Sequence, residues 1–207
     1  MENLAQEIAR SLLQINAIKL SPQKPFIWAS GINSPIYCDN RIALSFPSVR
    51  QQITYGFIQL ASAFDADGIA GVATAGIPWG AILADRLGLP FLYVRSKAKS
   101  HGRQNLIEGM VTPGQKILVI EDLISTGGSS ISAVEALREQ GAEVLAILAI
   151  FTYQFAEAEE ALHAKHCLYR TLSNYASLLT AAQELTYITA GELETLKNWR
   201  DDPRAWK

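Results

Sequence analysis

The chain carries four short apolar runs after residue 67, and each is long enough for one strand. The runs cover residues 68–73, 90–94, 117–120 and 144–151. Their residues are continuously apolar rather than alternating, which is typical of strands buried on both faces of a parallel sheet. Helical periodicity follows the first run over residues 79–87 and the third run over residues 129–140. This alternation predicts an α/β fold with a central, mostly parallel sheet flanked by helices.

The first 66 residues follow a different pattern. Apolar residues recur at helical spacing between Leu4 and Ile15, and they predict an amphipathic helix there. Residues 18–40 contain three prolines and a glycine, so we expect an irregular hairpin that covers the core. A second helix is expected over residues 46–64, with Pro47 in its first turn.

Composition narrows the range of possible functions. Hydrophobic residues make up 49% of the 207 residues and charged residues 18%, so the chain can form a substantial core. The net charge of −2 argues against general electrostatic binding to nucleic acid or to an acidic membrane. The longest apolar stretch, residues 144–151, is too short to cross a bilayer, and the N-terminal pattern does not indicate secretion. Cys38 and Cys167 have no metal-ligand spacing, so we expect passive thiols in a reducing cytoplasm.

Residues 117–130 carry the strongest chemical signal in the sequence. A buried strand delivers two adjacent acids, Glu121 and Asp122, and a turn rich in hydroxyls and glycines then leads into a helix. The residues that follow the acids are Leu123, Ile124, Ser125, Thr126, Gly127, Gly128 and Ser129. The glycines allow the backbone to approach an anion, and a helix N-terminus favours a phosphate. The carboxylates would accept hydrogen bonds from the vicinal hydroxyls of an attached sugar, so the segment predicts a ribose 5-phosphate site.

Two other phosphate-binding devices are absent from the sequence. No Gly-Lys-Ser/Thr tripeptide closes a Walker loop, and no G-x-G-x-x-G pattern follows a strand. The remaining alternative for residues 121–129 is a helix N-cap preceded by two solvated acids. Because a plain cap does not need a double acid, a double glycine and three hydroxyls together, we favour the sugar-phosphate interpretation.

The same segment resembles the phosphoribosyl-pyrophosphate (PRPP) signature of type I phosphoribosyltransferases. The resemblance implies that Glu121 and Asp122 hold the ribose hydroxyls, while residues 125–129 wrap the 5-phosphate. The signature names a superfamily and not a substrate, and it also occurs in regulators that bind PRPP without turning it over.

A basic segment, residues 95–109, follows the second apolar run. Taken alone it fits a solvated basic loop, a nucleic-acid contact or a lid that closes over pyrophosphate. Its spacing Arg-x-x-x-Lys-x-His-Gly resembles the catalytic loop of orotate phosphoribosyltransferases. That resemblance implies that Arg95, Lys99 and His101 are catalytic and bind PRPP, and that part of the segment reaches the partner's site in a homodimer. The family often has a second Lys directly after the Arg, and here Lys97 is the candidate for that PRPP contact.

Two further segments carry expected substrate contacts. Thr74, Ala75 and Gly76 follow the first apolar run and fit a simple strand-to-helix turn, which the resemblance makes the pyrophosphate loop. The Ser-Gly-x-x-Ser-Pro core of residues 30–35 is similar to the base-binding hood of orotate phosphoribosyltransferases. By that resemblance Tyr37 and Cys38 lie over the orotate ring.

The resemblance implies one phosphoribosyltransferase domain over residues 1–207, in which residues 1–45 form the hood. The chain departs from the family at Ala29, where some members carry a PRPP-contacting Lys, and after the fourth apolar run, where many place an Arg for the orotate carboxylate. Ser125 or backbone N–H groups are expected to bind that carboxylate instead.

The implied activity is transfer of ribose 5-phosphate from PRPP to orotate, giving orotidine 5′-monophosphate and pyrophosphate in pyrimidine biosynthesis. Mg²⁺ is expected as the cofactor, held mainly by the substrate, with Asp122 near it and no dedicated protein cage. The alternatives are a salvage transferase for another base and a PRPP-binding regulator. We expect a cytoplasmic homodimer that binds neither nucleic acid nor a membrane.

Overall fold

The computed structural model describes residues 2–28, 31, 33–96, 106–204 and 206 of the chain. Its strands are β1 (Ile18–Leu20), β2 (Phe26–Ile27), β3 (Asn33–Ser34), β4 (Ile36–Cys38), β5 (Gly68–Val72), β6 (Phe91–Val94), β7 (Ile107–Glu108), β8 (Lys116–Ile124), β9 (Glu143–Thr152) and β10 (Tyr169–Asn174). Its α-helices are α1 (Glu2–Gln14), α2 (Pro47–Ala61), α3 (Gly76–Leu87), α4 (Gly128–Glu139), α5 (Ala156–Ala164), α6 (Tyr175–Glu184) and α7 (Ala190–Asp201). A 3-10 helix covers Asn40–Ser45.

Six of the strands form one sheet in the order β10-β9-β8-β5-β6-β7. Neighbouring strands are parallel except β6 and β7, which pair antiparallel at one edge. The four apolar runs of the sequence form β5, β6, β8 and β9, which all lie inside the sheet. Residues 117–120 of β8 are fully buried, as expected for a strand covered on both faces. The predicted α/β fold with a mostly parallel sheet is therefore confirmed.

The helices pack against this sheet through their apolar faces. Helix α3 packs against β5 and β8, α4 packs against β8 and β9, and both α1 and α2 contact β10. Ile8 and Leu12 of α1 are fully buried, which agrees with the helical spacing of the N-terminal segment. None of the helices in the described parts of the chain combines the length and the apolar character that a membrane span requires.

Strand β8 is longer than the apolar run that predicts it. The run ends at Ile120, whereas the strand continues to Ile124 because its backbone pairing with β9 extends to Ile124 and Thr152. Glu121 and Asp122 therefore lie within the strand rather than in the turn after it. The strand holds both carboxyl groups on a rigid backbone.

The C-terminal third contains two elements that the sequence pattern does not predict, β10 and α7. Strand β10 is the edge strand beside β9 and is only partly buried over its first three residues. Helix α7 packs its fully buried Trp199 against the hood, where the indole N–H donates to the carbonyl of Asn33 (3.3 Å) and the ring meets Trp28 edge-on at 5.7 Å. Trp199 therefore packs in the core and joins α7 to the hood.

Candidate active site

A cleft with a volume of about 380 Å³ lies beyond the carboxyl ends of β5 and β8, and we call it the acidic cleft. Ligands of parallel sheets bind at this edge. Its lining residues are Cys38, Asp39, Arg41, Ala73, Thr74, Ala75, Glu121, Asp122, Leu123 and Ser129. The fold therefore brings together the acidic pair, the turn after β5 and the end of the hood, which are far apart in the sequence.

Glu121 lies at the floor of the acidic cleft with 5% of its surface exposed. The backbone N–H of Asp122 donates to Oε1 (3.1 Å), and the hydroxyls of Ser129 and Ser130 donate to Oε2 (3.0 and 3.3 Å). Burial, followed by the negative charge of Asp122, raises the pKa of Glu121 to about 8. A buried carboxyl group with three donors does not fit the alternative of a cap preceded by solvated acids.

Asp122 is partly buried, and burial raises the pKa of its carboxyl group above the usual range. The positive charge of Arg41 acts in the opposite direction. The amide of Asn40, a fully buried residue, donates to the backbone carbonyl of Asp122 (2.8 Å) and ties the hood to β8. Two adjacent acids with raised pKa values would be stabilised in their ionised form by hydrogen-bond donors of a ligand.

The turn after β8 leaves the N-terminus of α4 open. Gly127 is the N-cap with a left-handed φ of 80°, a conformation that glycine adopts without strain, and its position has no side-chain cap. Helices α2, α3 and α5 also lack a side-chain cap, whereas Asn174 caps α6 and Thr189 caps α7 with side-chain oxygens. The first N–H groups of α4 are therefore available to an anion that enters between Ser125 and Ser129.

A second cleft, with a volume of about 250 Å³, adjoins the acidic cleft, and we call it the aromatic cleft. Its lining residues are Ile27, Trp28, Tyr37, Cys38, Leu123, Ser125 and Tyr153. Cys38 and Leu123 line both clefts. The rings of Trp28 and Tyr153 lie 5.4 Å apart and give this cleft flat apolar walls that suit a planar ring. The structure thus brings Tyr37, Cys38 and Ser125 together, and their contacts with orotate stay a prediction.

The Cys38 thiol is a poor nucleophile in this position. Burial, and then the negative charges of Asp122 and Asp39, raise its pKa well above the ordinary value of 9.0. Its Sγ lies 3.5 Å from Oδ1 of Asn40 as a weak donor. Because the thiolate is the reactive form of cysteine, the environment favours a passive thiol that shapes the two clefts.

Sequence reasoning assigned no role to six residues of these clefts, and four of them carry aromatic or charged side chains. Trp28 and Tyr153 form the walls of the aromatic cleft, and Asp39 and Arg41 line the acidic cleft. Tyr153 lies directly after the fourth apolar run, where many family members have an arginine. An aromatic residue at that position was the available signal. Asp39 and Arg41 follow Cys38 directly in the hood, so their proximity to a predicted ligand residue was the available signal.

The basic segment is described only at its two ends. Arg95 follows β6, its guanidinium contacts the carboxylate of Glu108 (3.4 Å), and it is not among the described residues that line either cleft. Lys97, Lys99 and His101 lie outside the described residues. The PRPP contacts assigned to these four side chains stay predictions.

Thr74 and Ala75 line the acidic cleft, whereas Gly76 is buried beneath it. A Cβ atom at Gly76 would meet the carbonyl oxygen of Ile120 at 2.3 Å, so the missing side chain lets α3 begin directly against β8. Close packing is the observed reason for glycine at this position, and a PRPP contact there stays a prediction. Leu123 lines both clefts, while Ile124 is buried in the core.

The acidic cleft has the donor chemistry that suits Mg²⁺. Its ionisable oxygen donors are the carboxyl groups of Asp39, Glu121 and Asp122, and the one sulfur beside them, on Cys38, carries its proton. The described residues contain no group of three or more His, Cys, Asp or Glu side chains placed to hold a metal. Oxygen ligands in small number suit Mg²⁺, which keeps several waters and binds through substrate phosphates.

A mostly parallel sheet with an acidic pair and an open helix N-terminus at the end of β8 fits the class of phosphoribosyltransferases. Residues 58–179 match the family model described as the phosphoribosyl transferase domain. The chain is 54% identical over 207 residues to an orotate phosphoribosyltransferase of Cytophaga hutchinsonii and 53% identical over 207 residues to one of Streptococcus agalactiae, and each alignment covers 99% of both chains. The chain belongs to the orotate phosphoribosyltransferase family.

The solved structures agree with this assignment. The crystal structure of orotate phosphoribosyltransferase from Aeropyrum pernix superposes with a TM-score of 0.76 at 27% sequence identity. The match covers 88% of this chain and 99% of that chain. The resemblance drawn from residues 30–35, 95–109 and 117–130 is therefore confirmed at the level of fold and family.

Proposed function

We propose that the protein transfers the ribose 5-phosphate group of PRPP to orotate and releases pyrophosphate. The observation that carries this proposal is the direct junction of the acidic and aromatic clefts at the end of β8, where Cys38 and Leu123 line both. A transferase must hold a phosphorylated sugar and a planar base side by side. Two adjoining clefts of matching chemistry meet that requirement.

The acidic pair holds the sugar in this proposal. The hydroxyls at C2 and C3 of the ribose donate to the carboxylates of Asp122 and Glu121. Asp122 is the more accessible of the two, since three protein donors already occupy the carboxyl oxygens of Glu121. Hydrogen bonds to an ionised acceptor are strong, so the diol is held at a fixed distance from β8.

The 5-phosphate binds at the N-terminus of α4. Its oxygens accept hydrogen bonds from the backbone N–H groups that follow the uncapped Gly127 and from the hydroxyl of Thr126. The helix dipole favours the negative charge. With the diol and the phosphate both held, the anomeric carbon of the sugar faces the junction of the two clefts.

Orotate lies in the aromatic cleft against the side chains of Trp28 and Tyr153. Tyr37 and Cys38 cover the ring from the hood, and Ser125 donates to a polar group of the base. The ring nitrogen of orotate then attacks the anomeric carbon from the face opposite to pyrophosphate. This chemistry needs no protein nucleophile, which is consistent with the raised pKa of the Cys38 thiol.

Charge on the leaving group is stabilised from two sources. The basic segment is proposed to supply Arg95, Lys99 and His101 as donors to pyrophosphate, with Lys97 as a further contact. Mg²⁺, which is expected to lie beside Asp122, supplies neutralising charge to the pyrophosphate when it is bound. The turn at Thr74 and Ala75 leaves room for the pyrophosphate against the backbone.

A spectrophotometric assay with PRPP, Mg²⁺ and a panel of bases tests the proposal. Loss of orotate absorbance is expected when all three components are present, and omission of PRPP or addition of a chelator should stop it. Uracil, adenine and hypoxanthine should give little turnover. Turnover of a purine in place of orotate would point to a salvage transferase, and PRPP binding without turnover of any base would point to a regulator.

The assembly and the cellular location belong to the same proposal. We infer a homodimer in which residues 95–109 of one subunit reach the site of the other, and a cytoplasmic location. Sedimentation velocity on the purified protein tests the homodimer. A dimer is expected, and a monomer under assay conditions would contradict it.

A further inference from the structure

We propose that Arg41 is a further substrate-binding residue, which contacts the pyrophosphate group of PRPP, and that Asp39 positions its guanidinium. The inference rests on the proposed function, because it assigns a new residue to the same site. The basic segment of residues 95–109 plays no part in it.

Arg41 lines the acidic cleft. Among the described residues that line the acidic cleft, Arg41 is the one with a cationic side chain. The other charged groups of that lining are the carboxyl groups of Asp39, Glu121 and Asp122. Carboxyl groups disfavour a polyanion beside them, and Arg41 supplies a cation within the cleft that offsets this repulsion.

Asp39 holds the guanidinium in a defined orientation. Nε of Arg41 donates to Oδ1 of Asp39 (2.6 Å) and Nη2 donates to Oδ2 (2.9 Å), which is a bidentate pair. Oδ1 also accepts from the backbone N–H of Arg41 (3.2 Å), so both residues are fixed at the start of the 3-10 helix. The Asp39 side chain is 18% exposed.

The pair leaves donors of Arg41 for a ligand. A guanidinium carries five N–H groups, and two of them bind Asp39. The Arg41 side chain is 61% exposed, so the remaining N–H groups are accessible from the cleft. A planar fork of this kind matches two oxygens of a phosphate group, and its orientation by Asp39 lowers the entropy lost on binding.

The backbone around Arg41 is tied to the sugar-binding acids. The amide of Asn40, between Asp39 and Arg41 in the chain, donates to the carbonyl of Asp122. The backbone beside Arg41 is therefore held next to the acidic pair by a part-buried hydrogen bond. Thr74 and Ala75, which have small side chains, line the same cleft of about 380 Å³ as Arg41, and the inference places the pyrophosphate between them.

Kinetics of Arg41→Ala, Arg41→Lys and Asp39→Asn in the full-length protein test the inference. In Arg41→Ala, the KM for PRPP in the forward reaction and for pyrophosphate in the reverse reaction should each rise about tenfold or more, while the KM for orotate changes little. Arg41→Lys keeps the charge without the fork and should recover part of the loss. Asp39→Asn should raise the same two KM values by a smaller factor than Arg41→Ala.

Arg10→Ala is the matched control. Arg10 is an exposed arginine of α1 that pairs with Glu184 of α6, and it lines neither cleft. Its kinetics should equal those of the wild type. Unchanged KM values for PRPP and pyrophosphate in Arg41→Ala would overturn the inference. An equal rise in the KM for orotate together with a lower Tm would also overturn it, because both changes indicate a structural role in the hood.

Calorimetry separates this inference from the proposed function. Binding of PRPP with Mg²⁺ requires no base, so a tenfold loss of affinity in Arg41→Ala supports the inference even if the wild type does not turn over orotate. Equal PRPP affinity of the wild type and Arg41→Ala overturns the inference even if the wild type turns over orotate at full rate.

Discussion

Glu121 and Asp122 are neighbours in one strand, yet their surroundings differ. Glu121 is buried and its oxygens are occupied by one backbone N–H and two serine hydroxyls, whereas Asp122 is partly buried and faces the charge of Arg41. Glu121 therefore fixes the turn at the start of α4 as well as lining the cleft. Asp122 is therefore the more accessible of the two carboxylates.

Asp122→Asn should weaken PRPP binding by about 10- to 100-fold, because an amide group offers one acceptor oxygen and no charge to the ribose diol. Isothermal titration calorimetry with PRPP and Mg²⁺ measures the change. Asp85→Asn, at an exposed position of α3, is the control and should bind as the wild type does. Equal affinity of Asp122→Asn and the wild type would remove Asp122 from the sugar site.

Stability of the free protein should depend on pH through Glu121. Burial raises its pKa from 4.5 to about 8, so between these values the folded state retains a proton that the unfolded state releases. The free energy of unfolding should therefore fall as the pH rises through this window and level off above it.

Urea unfolding of the wild type and Glu121→Gln at several pH values from about 5 to 9 measures this dependence. Glu121→Gln should show a weaker decline in unfolding free energy, because the group that titrates is absent. Glu160→Gln, at an exposed position of α5, should keep the wild-type decline. A decline in Glu121→Gln as steep as that of the wild type would contradict the raised pKa of Glu121.

The junctions between strands and helices position the site. Strand β5 leads through the turn at Thr74 into α3, and β8 leads through Gly127 into α4, so two turns meet at one edge of the sheet. Gly76 allows the first of these turns to sit against the carbonyl of Ile120. The shape of the acidic cleft therefore depends on packing beneath it.

Gly76→Ala should destabilise the protein by about 1–3 kcal/mol, because its Cβ atom cannot be accommodated without moving α3 away from β8. Gly191→Ala is the control, since a Cβ atom in that exposed turn of α7 meets nothing within 4 Å. Gly191→Ala should leave the free energy of unfolding unchanged or raise it slightly. Urea denaturation compares the two variants, and equal stability of Gly76→Ala and the wild type would contradict the packing role.

The interior strands were predictable from the sequence, and the edge of the sheet was not. Strands β5, β8 and β9 are buried on both faces over most of their length, which requires continuous apolar runs, and β6 is buried on one face and partly buried on the other. Strand β10 has a neighbour on one side only and mixes Arg170 with Leu172, so no single period identifies it. The extension of β8 through the acidic pair was also not predictable, because backbone pairing with β9 depends on the fold and not on side-chain polarity.

The candidate site was predictable where one segment carries it. The double acid, the glycines and the hydroxyls of residues 121–129 lie in one run, so their chemistry shows in the sequence. The position of Arg41 beside Asp122 depends on how the hood folds back over β8, and 80 residues of unrelated pattern separate the two regions. Long-range juxtaposition of this kind is set by the fold and leaves little local signal.

At the scale of the whole molecule, the C-terminal helix secures the hood. Trp199 of α7 packs against Trp28 and Tyr153, and these two residues form walls of the aromatic cleft. The hood and the C-terminal helix α7 therefore meet beside the aromatic cleft. Through Asn40 the hood is also tied to Asp122, so one connected set of contacts supports both clefts.

A mixing experiment tests whether the basic segment serves the partner's site. As homodimers assayed at low PRPP concentration, Lys99→Ala should lower turnover by orders of magnitude and Asp122→Asn should lower it by about 10- to 100-fold. In mixed dimers, one site combines an intact acidic cleft with an intact Lys99 from the partner. Random exchange of subunits makes about half of the dimers mixed, and each mixed dimer has one intact site of two. The mixture should therefore recover about one quarter of the wild-type activity. No recovery in verified mixed dimers would mean that each basic segment acts within its own subunit.

The central claim is that the end of β8 and the start of α4 bind the sugar donor. A crystal structure of the protein with PRPP and Mg²⁺ tests it most directly. The ribose hydroxyls should lie within hydrogen-bond distance of the carboxylates of Glu121 and Asp122, and the 5-phosphate should lie against the backbone N–H groups of residues 125–129. Density for the ribose and its phosphate at any other place on the protein would contradict the account.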